Sequence, residues 1–410
     1  MFILKRPVEL RISHIFILYF IIAIIASIQC YYGFIRPSGQ FGRAYPNYNN
    51  YIIFKNSFFH LIQGKDLYVH YPDEQWDLYK YSPSFSLFFG LFAYLPDFIG
   101  LLLWNLLNTI PLFIGIGLLK GMDDRARIYV LLFCFIELMG SLQTAQSNGL
   151  TAALLILTFA SLENGRYILA AFFVAFSLYL KIFGGIGLIL FVFYPARMKL
   201  CLYTFCWTLL IGLLPLAVTD LNRLLYLYKS WNILLKTDQA NSAGISVMGI
   251  LQTNFKFHIS NKIIMMAGMI FLLIPLYQTA KYKIYEFRLL ALSSILIWAV
   301  IFNYKAESST YIIAICGIAI WFFSQTKNRM HLIIIILTFL FTTLSPGDLI
   351  PHFIKGLFIK LPYLKAIFPI LIFCIVLIDL FDKNLDMKKP SLPITLQPDS
   401  HEMEIHDNHR

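Results

Sequence analysis

Long apolar runs, separated by short polar stretches, set the pattern of this 410-residue chain. A membrane-crossing helix needs about 20 mainly apolar residues, within a range of about 17–25. The pattern therefore predicts an all-α polytopic membrane protein with about twelve transmembrane helices. The predicted spans are 12–34, 98–119, 127–142, 147–163, 167–180, 182–195, 200–219, 262–280, 287–302, 307–324, 331–345 and 365–381.

Basic residues follow every second predicted span, and such loops are typical of the cytoplasmic side. With a cytoplasmic N-terminus, the inner loops would be 120–127, 163–166, 195–199, 281–288 and 325–329. The outer segments would be 35–97, 143–146, the break at Lys181, 220–261, 303–306 and 346–364. The last outer segment departs from this rule, because Lys355, Lys360 and Lys365 lie in it or beside it.

The first outer segment, 35–97, predicts two short helices. In NNYIIFKNSFFHLIQGKDLY, Asn50 can cap a helix that carries an amphipathic face and stops at Gly64. SPSFSLFFGLFAYLP, 82–96, is apolar, but it is short and bounded by proline, and counting it as a span would invert every later loop. We therefore interpret it as an interfacial helix on the outer face of the membrane.

Composition supports a membrane protein, with 59% hydrophobic residues, 13% charged residues and a mean hydropathy of +0.69. Soluble domains carry about 25% charged residues. The net charge of +11 is scattered over span ends, so it indicates membrane topology and not nucleic-acid binding. The six cysteines form no CxxC pair, and we interpret them as small buried apolar residues.

The sequence divides into an integral membrane domain, 1–382, and a polar tail, 383–410, for which we expect cytoplasmic disorder. The tail ends in HEMEIHDNH, which lacks the HExxH spacing of zinc enzymes, so no metal site is predicted. No Walker, GxGxxG or GxSxG motif is present, which argues against a nucleotide-driven pump.

Several elements occur in an order that resembles glycosyltransferase family 87, the polyprenol-phosphate-mannose-dependent transferases of the GT-C fold. The resemblance covers most of the chain and is strongest over 45–200. The elements are NNYIIFKNSFFHLIQGKDLY, KYSP, LPDFIGLLLWNLLN, QTAQSNGL, NGRYILAAFFVAFSLYLKIFG and the later outer-loop piece NSAGISVMGIL. GT-C enzymes carry interfacial helices in the first outer loop, as we predict here for 82–96.

The resemblance implies an inverting transfer of a hexose, mannose in the first place, from a polyprenyl-phosphate donor to a hydroxyl of a glycan or glycolipid. Membrane lipid would surround the enzyme, with no nucleic acid, cofactor or metal involved. The implied location is the bacterial inner membrane, with the active site on its periplasmic face. Such chemistry needs a carboxylate to take the acceptor proton and a cation to stabilise the leaving phosphate.

The catalytic carboxylate is not where the resemblance implies it. The family pattern places an Asp about fourteen positions before the glycine that is Gly64 here, and that position is Asn50, whose amide is no base. Of the acidic residues on the outer side we select Glu307 and Asp66 as replacements, and the remaining candidates are Asp73, Glu74, Asp77, Asp220, Asp238 and Asp348. Glu307 can equally be a carboxylate at a helix N-terminus or a partner in a salt bridge, and Asp66 can simply cap the turn.

Other outer-side residues complete the predicted site. For the donor phosphate we select Lys80, Lys181 and Lys305. For the sugar and acceptor we select Tyr51, Tyr81, Gln146, Asn148, Asn241 and Ser242. Lys181 can alternatively snorkel to the interface, and Asn148 can cap a helix. Two other functions stay open, namely a transporter or flippase of lipid-linked glycans and a catalytically inactive relative.

Overall fold

The computed structural model describes residues 10–33, 36–37, 44–240, 243–257, 259–325, 327–345, 361 and 363–382. These residues are helical apart from loops and one antiparallel pair of two-residue strands, Arg36–Pro37 with Ala44–Tyr45. The α-helices are α1 (Ile12–Tyr32), α2 (Asn49–Ile62), α3 (Pro83–Ala93), α4 (Asp97–Gly117), α5 (Asp124–Gln143), α6 (Asn148–Glu163), α7 (Tyr167–Leu180), α8 (Arg197–Leu213), α9 (Leu221–Ala240), α10 (Val247–Thr253), α11 (Asn261–Leu273), α12 (Tyr285–Ile301), α13 (Tyr311–Phe323), α14 (Arg329–Thr338) and α15 (Leu364–Phe381). Short 3₁₀ or π segments lie at Ile182–Phe193, Leu214–Ala217, Ile274–Tyr277, Thr279–Lys283, Ser308–Thr310 and Phe339–Thr343.

The prediction of an all-helical chain is confirmed, because a helical element lies at each of the predicted spans. Among the described residues, five elements are long and apolar enough to cross a membrane, which is compatible with a polytopic membrane protein: α1, α4, α5, the continuous stretch Arg197–Ala217, and α15. The other apolar helices are shorter. The number of twelve crossings stays a prediction.

Hydrogen bonds place the predicted inner loops together at one end of the bundle. Lys120 Nζ donates to the Glu163 carbonyl at 2.9 Å, and Arg288 binds the Glu163 carboxylate at 2.6 and 2.8 Å. Asn148 begins the same helix, α6, that Glu163 ends, and sixteen residues of α-helix span about 24 Å. The predicted outer loops meet around Asn148, as described below, so the loops sort to two ends as the charge pattern predicts.

The first outer segment forms the two short helices predicted for it, α2 and α3. Gly64, with φ of +68°, follows the end of α2 as the sequence predicts. The predicted cap is wrong, because the residue before the helix is Tyr48, and Asn50 lies in the first turn. The Asn50 amide is used elsewhere, since it donates to the Thr144 carbonyl at 2.8 Å. The position of both helices on the membrane surface stays a prediction.

Lys365 explains part of the exception in the charge pattern. It lies inside α15 as a buried side chain and forms an ion pair with Glu137 of α5, with Nζ to Oε1 at 2.6 Å. Its Nζ also donates to the Ser345 carbonyl at 2.8 Å. Lys365 is therefore paired inside the protein, and its charge does not indicate on which side of the membrane the segment lies. Lys355 and Lys360 lie outside the described residues.

The prediction of six buried cysteines is half wrong. Cys30, Cys134 and Cys316 are buried, whereas three others are exposed: Cys201, Cys206 and Cys374. The exposed three lie on α8 and α15, which present many large apolar side chains outward, as helices facing lipid do. Hydropathy alone cannot separate burial in protein from exposure to lipid, because both environments are apolar.

An aromatic core joins α2, α3 and α4 and holds the first outer segment in place. The Phe54 ring lies 5.2 Å from Phe85, 5.4 Å from Phe89 and 5.7 Å from Trp104. Edge-to-face packing of this kind stabilises beyond the area that it buries. The two short helices are therefore a rigid part of the protein.

Replacing Gly100 of α4 by alanine should destabilise this core. An added Cβ would lie 1.9 Å from the Tyr51 hydroxyl oxygen, so Tyr51 or the helix must shift. Overpacking costs about 1–3 kcal/mol. Thermal unfolding in detergent should give a lower midpoint for Gly100→Ala. Gly117→Ala is the matched control in the same helix, with nothing within 4 Å of its Cβ, and an equal effect of both substitutions would contradict this explanation.

Candidate functional site

Four predicted site residues from three segments form one chain of hydrogen bonds. Gln146 Nε2 donates to Glu307 Oε2 at 2.6 Å, and Asn148 Nδ2 donates to Gln146 Oε1 at 2.8 Å. Lys181 Nζ donates to Asn148 Oδ1 at 2.5 Å. A carboxylate and an ammonium group are thus linked through two amides, although Gln146 and Glu307 are 161 residues apart in sequence.

Asn148 is the buried centre of this chain. Its side-chain amide also donates to the Ser309 carbonyl at 2.9 Å, so three segments bind one side chain. The alternative that Asn148 caps α6 is wrong, because the residue at the cap position is Ser147. The Ser147 hydroxyl lies 3.1 Å from the Tyr81 hydroxyl, which brings another predicted site residue to the same place.

The turn that carries Gln146 is strained and tightly held. Ala145 has φ of +51°, a left-handed conformation that costs a residue with a Cβ about 1–2 kcal/mol. The Trp104 indole donates to the Ala145 carbonyl at 2.9 Å, and Asn50 donates to the neighbouring Thr144. Strain of this kind persists where the surroundings over-determine it, as they do at functional sites.

Glu307 is exposed at the start of the short 3₁₀ turn Ser308–Thr310. Its carboxylate accepts from the Thr310 backbone, and its own N–H donates to the Thr310 hydroxyl at 3.1 Å. The alternative of a carboxylate at a helix N-terminus is therefore confirmed. It coexists with the bond from Gln146, because a carboxylate has about four acceptor positions.

The second large outer loop closes over the segment before Glu307. Ile245 N donates to the Ala306 carbonyl at 2.7 Å, and Gly244, with φ of +60°, lies so close that a Cβ would come within 2.8 Å of Ala306 N. Asn241 and Ser242 lie outside the described residues. Their place in the site stays a prediction. The residues that follow them, Gly244 and Ile245, contact Ala306 directly before Glu307.

Lys181 separates two helices, α7 and the 3₁₀ helix Ile182–Phe193, as the sequence predicts. It adopts an extended conformation, with φ of −148°, at the turn between them. Burial lowers the pKa of its ammonium group to about 8, and the nearby Glu307 carboxylate acts in the opposite direction. The bond to Asn148 does not support the alternative of a lysine that snorkels to the interface.

The other predicted residues make different contacts. Asp66 uses one carboxylate oxygen for the Tyr68 N–H at 3.0 Å and the other for the Tyr226 hydroxyl at 2.6 Å, so its role in the turn is confirmed. Lys80 forms an ion pair with Asp77 at 2.7 Å. Tyr51, a predicted sugar-binding residue, is buried beneath Gly100. The backbone N–H of Lys305, a predicted phosphate-binding residue, donates to Asn303 Oδ1.

Ser147 and Ser309 belong to this arrangement and were not predicted. Ser147 stands between Gln146 and Asn148 in QTAQSNGL, so a search for every hydroxyl in that turn could have found it. Ser309 contributes only its backbone carbonyl, for which a sequence carries no signal. Within the described part of the chain, no three His, Cys, Asp or Glu side chains are grouped as a metal site requires.

Comparison with family models finds a match to glycosyltransferase family 87 over residues 79–346. This stretch is more than half of the chain and contains all four residues of the hydrogen-bonded chain. The protein belongs to glycosyltransferase family 87. It is therefore a glycosyltransferase, with a sugar donor and an acceptor as substrates.

The match to family 87 also limits one prediction. It begins at Tyr79, so the helix α2 and the position of Asn50 lie before the matched residues. None of the curated proteins compared with the chain matches it. The glycosyltransferase assignment thus depends on the segment that contains Gln146, Lys181 and Glu307.

Proposed function

We propose that this glycosyltransferase moves a hexose, mannose in the first place, from a polyprenyl-phosphate donor to a hydroxyl of a glycan or glycolipid, with inversion. The observation that carries the proposal is the hydrogen-bonded chain from Glu307 to Lys181. A transfer of this kind needs one base and one cation at the same site. The short helices α2 and α3 beside it favour the GT-C arrangement.

Glu307 is our candidate for the base. Its exposed carboxylate would take the proton of the acceptor hydroxyl while that oxygen attacks the anomeric carbon. The bond from the anomeric carbon to the phosphate oxygen breaks, and the polyprenyl phosphate leaves with the electron pair. Attack from the face opposite the leaving group gives inversion.

Lys181 is our candidate for the group that stabilises the departing phosphate. Its ammonium group has three N–H donors, and Asn148 accepts one of them. The others remain for phosphate oxygens on which negative charge builds during transfer. Lys80 is a weaker candidate because Asp77 already neutralises it, and Lys305 is proposed as a second basic residue beside Glu307.

The amides between these groups would position the base and the sugar. Gln146 fixes the Glu307 carboxylate, and Asn148 fixes both Gln146 and Lys181. Tyr81 and Gln146 can bind sugar hydroxyls at the rim, since both are partly exposed. Tyr51 would act through packing, and Asn50 through its bond to Thr144.

The affinity for the donor should fall as the pH rises above about 8. Because the pKa of Lys181 is lowered to about 8, its ammonium group is present below that pH and is lost above it. If the charged form binds the phosphate, the donor KM rises about tenfold per pH unit above this point. The donor KM of purified enzyme, measured from pH 6.5 to about 9.5, tests this expectation.

Lys181→Arg is the control for the pH profile, because a guanidinium stays charged over this range. The variant should show no rise of the donor KM near pH 8. A rise of the same size in Lys181→Arg would assign the titration to another group and would remove Lys181 from donor binding.

The function itself is tested with radiolabelled polyprenyl-phosphate sugars in membranes that contain the protein. We expect label to pass from the mannose donor to a glycan or glycolipid, and to be lost in Glu307→Gln. Transfer only from a glucose or arabinose donor would show that the transferred sugar is not mannose. If no lipid-linked donor gives transfer and a lipid-linked glycan moves between leaflets instead, the proposed transfer is wrong and a flippase is favoured.

We further propose that the site lies on the periplasmic face of a bacterial inner membrane. The support is the sorting of basic loops to the opposite end, where Lys120, Glu163 and Arg288 meet. A membrane-impermeant maleimide should label Val69→Cys from outside intact cells and should label Met198→Cys only after lysis. Both positions are exposed, and the reverse labelling pattern would invert the orientation.

A further inference from the structure

A groove of about 610 Å³ lies between the start of α7 and the middle of α8. Its walls include Arg166, Ile168, Leu169, Phe172, Tyr203 and Trp207. Arg166 lies three residues after Glu163, the end of α6 opposite to Asn148. The groove is therefore at the end of the protein that faces away from the candidate site, and the proposed transfer does not use it.

The groove is a formed feature with one fixed wall. The Trp207 and Phe172 rings pack edge to face with 5.0 Å between their centroids. The Trp207 indole N–H also donates to the Ile168 carbonyl at 3.2 Å, which fixes the ring against α7. Ile168 is 57% exposed, as an apolar side chain facing lipid would be. An acyl chain fits such a wall.

Depth and polarity both change along the groove. Along α7 the lining runs from Arg166, directly before the helix, to Phe172, which corresponds to about 9 Å along the helix axis. The groove thus runs from the polar end of α7, where Arg166 stands, into the apolar part of the same helix. Apolar residues line the deep part, and the one charged side chain lines the shallow part. This gradient matches a lipid molecule with its headgroup at Arg166.

The charge at the shallow end favours an anion. Arg166 is exposed directly before α7 and is the charged side chain that lines the groove. The neighbouring acid, Glu163, has both carboxylate oxygens bound to Arg288, so its negative charge is already compensated. An anionic headgroup near Arg166 therefore gains attraction that a zwitterionic headgroup does not.

We propose that this groove binds an anionic phospholipid from the leaflet on this side, which the charge pattern predicts to be cytoplasmic. The headgroup phosphate would lie at Arg166, and one acyl chain would lie along Ile168, Phe172 and Trp207. A lipid-linked sugar donor with its phosphate at Lys181 cannot also place that phosphate at Arg166. Lys181 lies at the far end of α7, and fourteen residues of helix separate it from Arg166 by about 21 Å.

Trp207 supplies a fluorescent reporter for the test. Full-length protein is reconstituted in phosphatidylcholine vesicles, with brominated phosphatidylglycerol or brominated phosphatidylcholine added in increasing fraction. Bromine quenches a tryptophan at close range, and the difference between wild type and Trp207→Phe isolates Trp207. We expect about fivefold preference for phosphatidylglycerol over phosphatidylcholine, as one well-placed basic residue gives near a membrane surface.

Arg166→Gln should reduce this preference to about one, while the matched control Arg197→Gln, which changes a basic residue outside the groove, should keep it. If Trp207→Phe fails to fold, native mass spectrometry of wild type and Arg166→Gln gives the same comparison through retained phosphatidylglycerol. A wild-type preference of one, or an unchanged preference in Arg166→Gln, would overturn the proposal. Reversal of the quenching by added polyprenyl phosphate would also overturn it, since the groove would then hold the donor chain.

Discussion

Glu307→Gln is expected to lower turnover by about 10²- to 10⁴-fold, which is the usual contribution of a general base. The substitution keeps the shape of the side chain and one of its two acceptor oxygens. That oxygen can still accept from Gln146 or from the Thr310 backbone, while the ability to take a proton is lost. Turnover with a saturating lipid-linked donor, measured on purified enzyme, gives the size of the effect.

Asp66→Asn is the matched control for this prediction, because Asp66 is the other predicted carboxylate. Its two oxygens bind Tyr68 and Tyr226, so we expect a small loss of stability and turnover within a few-fold of wild type. The opposite result, with Asp66→Asn inactive and Glu307→Gln active, would make Asp66 the base. Unchanged thermal unfolding of Glu307→Gln shows that its effect is chemical.

Lys365→Met is expected to lower the free energy of unfolding by about 3–5 kcal/mol, because it leaves the Glu137 carboxylate buried without its charged partner. Each side chain of this pair is only 4% exposed, and the two groups are 2.6 Å apart. Lys365 also donates to the Ser345 carbonyl, so its loss removes contacts of α15 both to α5 and to Ser345. Thermal unfolding in detergent, followed by circular dichroism, measures the loss.

Two further variants test the cause of this loss. The double variant Glu137→Leu with Lys365→Met removes both charges and should recover most of the stability, since an apolar pair can replace a buried ion pair. Lys55→Met breaks the partly exposed pair of Lys55 with Asp97, and its expected cost is below about 1 kcal/mol. A double variant as unstable as Lys365→Met would show that packing, and not charge, is responsible.

Apolar patterning predicts the helices here because their lengths and breaks are local properties. Lys181 illustrates this, since one basic residue in an apolar run marks the boundary between two helices. Lys365 shows the limit of the method. A lysine at the edge of an apolar run looks the same in sequence whether it lies in a loop or pairs with an acid 228 residues away.

The individual residues of the candidate site could be predicted from the sequence, but the contacts between them could not. Gln146, Asn148, Lys181 and Glu307 stand out because they are polar residues at the ends of apolar runs. Their contacts depend on how three segments pack, and no local pattern encodes that packing. The alternative that Asn148 caps a helix is wrong for the same reason, because its side chain donates to the Ser309 carbonyl of another segment.

The long separation between Gln146 and Glu307 has a consequence during synthesis of the chain. When the ribosome has completed α8, the growing protein already has Asn148 and Lys181 at one end of its bundle, but it has no Glu307. The carboxylate enters only with the turn before α13, about three quarters of the way along. Under the proposed function, a nascent chain therefore carries the lysine for the donor phosphate before it carries the base, and the segment before α13 completes the site.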